Sequence, residues 1–360
     1  MSLSVSINQS IDAFSLNVKF DAPVGLTALF GPSGSGKTTL VNSVAGLSRG
    51  CVGRIAVDDW ILQDSDLGIW LPPQKRQLGY VFQEGRLFPH LTVRQNLLFG
   101  QWFAKGRPPI VKFTDVVEML GIGALLSRRP SLLSGGEKQR VAIGRALLAA
   151  PKLILADEPL AALDEARKGE IIPYFECLRD EINVPILYVS HSIAEVARLA
   201  TTVVALNGGQ LTQVGPAVDV LGDPKFIPVG VRAVGAVLDV TVVAHHSDGL
   251  TELDAAGSPL FIPQISQEPG RVMRVRIAAH DVILSCDEPK GLSALNILHG
   301  IIEAVRSGDG PGAIVSIRTP AGTVLARVTR RSSIALGLSE GVSCYAVIKT
   351  VAIAPQDAGG

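Results

Sequence analysis

Gly31-Pro32-Ser33-Gly34-Ser35-Gly36-Lys37-Thr38 sets glycines, a lysine and a hydroxyl in the spacing GxxxxGK[ST]. Glycines at these positions let the backbone turn tightly and point successive N–H groups inward, which is how a loop cradles phosphate. Lys37 can then reach the terminal phosphates, and Thr38 can offer its hydroxyl to Mg²⁺, with Thr39 beside it at the helix start. Asp157-Glu158 supplies a second piece of the same chemistry: Asp157 to hold Mg²⁺, directly or through water, and Glu158 to polarise an attacking water. Gln83 is a carboxamide able to contact both metal and water. His191 closes an apolar run as Asp157 does, and Ser134-Gly135-Gly136 opens a helix with bare N–H groups, a second anion-binding end.

The surrounding sequence supplies elements to hold these groups. Leu26-Thr27-Ala28-Leu29-Phe30 predicts a strand feeding the glycine loop, and Thr39-Leu40-Val41-Asn42 a helix leaving it. Leu153–Ala156 is short and unalternating, as expected of a strand buried on both faces of a parallel sheet, and so is Pro185–Val189. Ligands of such sheets bind at the carboxyl ends of the strands, where Asp157, Glu158 and His191 fall. Leu78–Phe82 predicts the strand before Gln83. From Leu91 to Ala149 the apolar residues recur at helical intervals, and Ser134 with Glu137 forms a capping box. Phe14 and Phe20, in an early β-type stretch, are both candidates to stack on a base.

The 360 residues suffice for two or more domains, and 33 basic against 33 acidic residues leave no field drawing the chain to nucleic acid. The opening Met1–Ser6 does not read as a secretory signal. No apolar run is long enough to span a bilayer, since Arg145 and Lys152 interrupt the longest, so a membrane role is expected to run through a partner. Cys51, Cys177, Cys286 and Cys344 lack CxxC spacing and predict reduced, buried thiols.

With these pieces placed, the first 220 or so residues resemble the ATPase subunit of ABC transporters. The resemblance rests on the Walker A loop Gly31–Thr38, Gln83 of the Q-loop, the signature Leu133-Ser134-Gly135-Gly136-Glu137, the Walker B strand Leu153–Glu158, the D-loop Ala161-Ala162-Leu163-Asp164 and the switch histidine His191. It implies an α/β P-loop NTPase with a RecA-like core and an α-helical subdomain (about 85–150), binding ATP and Mg²⁺. It implies a head-to-tail homodimer in which Ser134, Gly135, Gly136 and Asp164 of one subunit complete the ATP site of the other. Glu137 departs from the glutamine usual there.

The remainder predicts short strands of small β-barrels, broken by Gly, Pro and Asp. His245-His246 precedes the turn Ser247-Asp248-Gly249 and reads as solvated loop. From Leu292 the chain resembles a Mop domain, with Leu292–Gly300 as its opening and Tyr345–Thr350 as its close. That resemblance implies an all-β, OB-like Mop/TOBE domain. Ser293 and Lys349 are its possible oxyanion contacts; Leu295 stands where the family usually carries arginine, and a barrel that only pairs two subunits remains open. The expected domains are 1–228, a β-rich connecting segment 229–290, and 291–354. Together the resemblances imply the ATPase subunit of molybdate importers. It would lie peripherally on the cytoplasmic face of the bacterial inner membrane, under a separate permease supplied by a periplasmic oxyanion-binding protein. An importer of another ligand (sulfate, tungstate, ferric iron or sugar), a soluble ABC ATPase and a molybdate sensor are the alternatives.

Overall fold

A computed structural model describes residues 1–11, 14–103, 110–161, 163–222, 235–307, 311–353 and 358–359. The chain divides into two units, residues 1–192 with 199–215, and residues 193–198 with 216–360. The expected domain boundaries at 228 and 354 lie outside the described residues.

The first unit is built on β1 (Leu3–Ile11), β2 (Phe14–Ala22), β3 (Gly25–Phe30), β4 (Val52–Val57), β5 (Trp60–Asp64), β6 (Ile69–Trp70) and β7 (Leu78–Val81), followed by β8 (Leu153–Asp157), β9 (Pro185–Val189), β10 (Thr202–Asn207) and β11 (Gln210–Pro216). They form one sheet in the order β6-β5-β4-β1-β2-β11-β10-β3-β9-β8-β7. From β10 to β7 the neighbours run parallel, with Thr202 beside Thr27, Leu26 beside Ile186, Ile154 beside Ile186 and Leu78 beside Leu153. Every residue of β3 and β9 is buried, as their unalternating apolar sequences require. β1 and β2 instead alternate buried and exposed residues and pair antiparallel, Leu3 opposite Ala22. One core joins the two parts: Leu3, Val5, Leu16 and Val18 pack in the same cluster as Leu40, Val41 and Val44 of α1 (Lys37–Ala45) and Leu29, Leu155, Leu187 and Val204 of the parallel strands.

Three further helices lie between β7 and β8: α2 (Val93–Phe103), α3 (Phe113–Met119) and α4 (Gly135–Leu148). Gly144 of α4 faces the other two, and a Cβ there would meet Leu97 at 2.7 Å and Leu120 at 2.9 Å, so glycine sets how closely the helices approach. After β8 come α5 (Glu165–Glu181), α6 (Ile193–Leu199) and α7 (Ala217–Gly222).

The second unit holds β12 (Gly235–His245), β13 (Leu250–Ala255), β14 (Ser258–Pro263), β15 (Val272–Ala278), β16 (Val282–Ser285), β17 (Asn296–Ser307), β18 (Gly312–Thr319), β19 (Gly322–Thr329), α8 (Arg330–Ala335), β20 (Ser343–Ile348) and β21 (Ala358–Gly359). They make two five-stranded sheets, β14-β13-β12-β15-β21 and β16-β20-β17-β18-β19. Both sheets contribute to one core, Leu238, Leu253 and Val275 from the first and Leu298, Val315 and Ala346 from the second. β16 comes from the segment expected to connect domains, and it is the edge strand of the second sheet, paired with β20. Strand β14 runs across prolines, the residues expected to break the strands of this part. Its prolines Pro259 and Pro263 argue against a strand, and it survives because it sits at a sheet edge. The fully buried Asn296 fastens β17 to β14, accepting from Phe261 N–H at 2.7 Å and donating to Phe261 O at 2.8 Å.

The expectation of buried thiols needs one correction. Cys51 and Cys344 are buried and Cys177 is half-buried, but Cys286, the residue that follows the end of β16 at Ser285, is exposed.

Candidate functional site

The glycine loop leaves β3 and enters α1 with Gly34 at φ 79° and Gly36, the residue preceding the helix, at φ 98°. Both lie in the left-handed region that glycine adopts without strain. At Gly36 there is a second reason: a Cβ would come within 2.8 Å of the Phe14 ring, which packs against the loop. Lys37 Nζ donates to the carbonyls of Gly31 at 2.9 Å and Pro32 at 2.8 Å, and lies 3.5 Å from Ser35 Oγ. Burial lowers its pKa, while the charges of Glu158 and Asp157 act the other way.

β9 lies between β3 and β8, so the loop, His191 and the two carboxylates share one edge of the sheet. Asp157 ends β8 opposite Val189, and Glu158 follows with φ 46°, its N–H donating to Val189 O at 3.1 Å. A non-glycine residue in the left-handed region costs roughly 1–2 kcal/mol. The strained turn points the Glu158 side chain into the cavity beside the loop, where Oε1 stands 3.5 Å from His191 Nδ1. That cavity, about 820 Å³, is lined by Phe14, Ser33, Gly34, Lys37, Glu158 and His191 among others.

Asp157 is held differently. Burial, and then the Glu158 charge, push its carboxyl above the usual carboxylate range, and a hydrogen bond from the Tyr80 hydroxyl pulls it partly back. Its Oδ1 is buried and receives no hydrogen bond. A desolvated carboxylate oxygen of this kind calls for a cation or a water. Tyr80 escaped sequence reading because its partner lies far along the chain; the signal was its place on the strand that precedes Gln83, next to β8.

Of the two phenylalanines considered for base stacking, Phe14 lines the cavity, whereas Phe20 is buried in the core. Ser134 and Gly135 fall outside the loop cavity. Gly135 and Gln83 line a second cavity of about 480 Å³ with Lys138, Gln139, Pro159 and Leu163. There the capping box is complete: Ser134 Oγ accepts from Glu137 N–H at 3.2 Å and Glu137 Oε2 accepts from Ser134 N–H at 2.7 Å. The Ser134 N–H, helped by the Ser134 hydroxyl, holds the Glu137 carboxyl below its usual range against the opposing effect of burial. Gln139 Nε2 donates to Phe82 O at 3.3 Å, tying α4 to the residue before Gln83. Asp164 caps α5, accepting from Arg167 N–H at 2.9 Å; Ala162, beside it, lies outside the described residues.

In the second unit Ser293 and Lys349 are both exposed, and the register that sets Asn296 opposite Ile348 brings them to the same end of the sheet, with the exposed Leu295 between. His246 Nε2 is 2.9 Å from Glu252 Oε2 and His245 Nδ1 is 2.9 Å from Thr251 Oγ1.

Residues 16–161 match the family described as ABC transporter, and residues 292–355 the TOBE domain. Among solved structures, the chain is similar to a dimeric bacterial ABC transporter cassette (TM-score 0.50, 26% identity, 60% of this chain and 99% of that one). It is similar also to an ATP-binding cassette of an ABC transporter in its ADP conformation (TM-score 0.52, 25% identity, 63% and 96%). The first unit thus has the fold of an ATP-binding cassette. Along its whole length the chain is 49% identical to the molybdenum import ATP-binding protein ModC of Mesorhizobium japonicum, over 100% of this chain and 98% of the relative. The figures are 49% for ModC of Rhizobium etli (98% and 99%) and 45% for that of Brucella abortus (98% and 97%). The chain belongs to the family of molybdenum import ATP-binding proteins of ABC transporters.

Proposed function

We propose that this chain is the ATP-hydrolysing subunit of an ABC importer and powers molybdate uptake through a separate membrane permease. The observation that carries the reading is the full-length identity to ModC proteins, which runs through the cassette and the TOBE region alike. The loop cavity supports it chemically. Phe14 stacks on adenine, the loop amides of residues 33–39 hold the phosphates, and Lys37 exchanges its carbonyl partners for phosphate oxygens. Glu158 takes a proton from the attacking water, and His191, 3.5 Å away, holds that carboxylate and the water in place.

The residues present fit Mg²⁺: Thr38 Oγ1 and the orphaned Asp157 Oδ1 would hold it, with Gln83 as a further ligand. The ion supplies neutralisation of charge on the phosphates. Ser134 Oγ accepts from Glu137 N–H, and its hydroxyl, which in this chain also hydrogen-bonds the Glu137 carboxyl, would turn its proton to a phosphate. Because the Ser134–Gly136 turn stands apart from the loop cavity of its own chain, a second copy arranged head to tail supplies it, with Asp164 at the same junction. Gln83, in the lining of the second cavity, relays closure to the permease. Among the described residues no helix is long and apolar enough to cross a membrane, so the proposal seats the chain on the cytoplasmic face through the permease, with a periplasmic protein delivering the oxyanion. Ser293 and Lys349 are the oxyanion contacts proposed for the C-terminal unit, and 1–228, 229–290 and 291–354 the proposed domains.

The test is molybdate uptake and ATP hydrolysis by the chain reconstituted with its permease. Glu158→Gln should keep ATP binding and lower turnover by about two to four orders of magnitude, taking uptake down with it. Near-normal hydrolysis would remove Glu158 as the base; hydrolysis without molybdate uptake would refute the cargo.

A further inference from the structure

β16 and β20 pair antiparallel, Val282 opposite Ile348 and Ser285 opposite Tyr345. β16 ends there, which leaves Cys286, the next residue, and Cys344, the residue before Tyr345, at the same end of the pair; one further step of the register would set them opposite each other. By strand alternation that step would put both on one face, at whose rim Cys286 is exposed: Val282 and Leu284 are buried toward the core from β16, and Cys344 and Ala346 from β20. Directly opposed residues of an antiparallel pair have Cα atoms about 4.5–5.5 Å apart. A disulfide accepts Cα separations of about 4.4–6.8 Å. Cys286 is exposed, with Sγ 3.3 Å from Leu336 O, while Cys344 is fully buried. Burial raises the Cys344 pKa, and Cys286 raises it further, as expected of two thiols near each other.

From the strand register we propose that Cys286 and Cys344 are an oxidant-responsive thiol pair that closes into a disulfide and staples the end of β16 to β20. The asymmetry assigns the order of events. The exposed Cys286 sulfur attacks the O–O bond of a peroxide, here hydrogen peroxide, which leaves Cys286 sulfenic acid and one water. The Cys344 sulfur then attacks the Cys286 sulfur, the S–O bond breaks, and the departing hydroxide takes the Cys344 proton as a second water. Two thiols are oxidised by two electrons, and one peroxide is reduced to two waters. The other cysteines have different surroundings: Cys51 lies buried against Gln63 and Cys177 beside Met119 Sδ at 3.6 Å. Among the described residues no group of three or more His, Cys, Asp or Glu side chains gathers, so nothing here turns the pair into a metal clamp.

The experiment is hydrogen peroxide treatment of the full-length chain, followed by thiol titration in denaturant and by mass mapping without reduction. The expected result is a fall from four titratable thiols to two, with one cross-linked peptide joining Cys286 to Cys344 and full recovery by dithiothreitol. Cys286→Ser should keep its three remaining thiols, and Cys344→Ser should stop at a Cys286 sulfenic acid that dimedone captures. Oxidation of Cys286 to sulfinic or sulfonic acid with Cys344 still free would overturn the proposal. So would a Cys286 link between two chains, or peroxide resistance of both thiols.

Discussion

Asp157 and Glu158 are adjacent, yet their surroundings push them toward different work. Glu158 projects into the loop cavity from a left-handed turn, while Asp157 stays half-buried at the end of β8 with an oxygen that nothing in the chain satisfies. Burial raises the Asp157 pKa, so the folded chain holds this proton more tightly than the unfolded chain does. Its contribution to stability is favourable below the ordinary carboxylate pKa and is lost as pH rises through the raised value. At neutral pH the charged carboxylate therefore destabilises the nucleotide-free fold. Asp157→Asn should raise the melting temperature at pH 7 while abolishing Mg²⁺-dependent hydrolysis, and the stabilisation should shrink as the pH is lowered toward about 4. Melts of both proteins across that range check it; an Asn variant less stable at pH 7 would contradict the sign.

β2 shows how position along one strand divides labour between identical side chains. Phe14, Leu16, Val18 and Phe20 share a face by alternation, and the face runs from the glycine loop at Phe14 into the core at Phe20. Phe14→Ala should raise the ATP KM by about 5- to 150-fold with kcat little changed, because a stacking surface is worth about 1–3 kcal/mol. Phe20→Ala should lower stability by about 3–5 kcal/mol and leave KM near normal. Steady-state kinetics beside denaturant melts separate the two, and equal KM effects would remove Phe14 from the base. The two phenylalanines were indistinguishable in the sequence because periodicity tells which face a residue shares and not where that face meets a ligand. The glycine loop, the buried parallel strands and the Ser134 capping box were legible because each is local, encoded in a few consecutive residues. The Tyr80 bond to Asp157, the β14 edge strand and the approach of Cys286 to Cys344 were not, since each depends on register between distant segments.

In the proposed head-to-tail dimer the two ends of the composite site belong to different copies, which can be tested by mixing. Lys37→Ala and Ser134→Ala should each hydrolyse ATP poorly alone. A mixed dimer pairs the intact loop of the Ser134→Ala copy with the intact Ser-Gly-Gly turn of the Lys37→Ala copy, so mixing should restore part of the activity. No recovery, with dimers confirmed by light scattering, would argue that each chain completes its own site. The sheet order adds a further consequence. Since β9 separates β3 from β8, and neighbouring strands lie about 4.8 Å apart, the loop and the carboxylate pair rise from strands about 10 Å apart. On the proposed function, a triphosphate seated in the loop would extend its last unit across that gap toward Glu158 and a diphosphate would end one unit earlier, so that a spacer of one strand would act as a gauge of chain length.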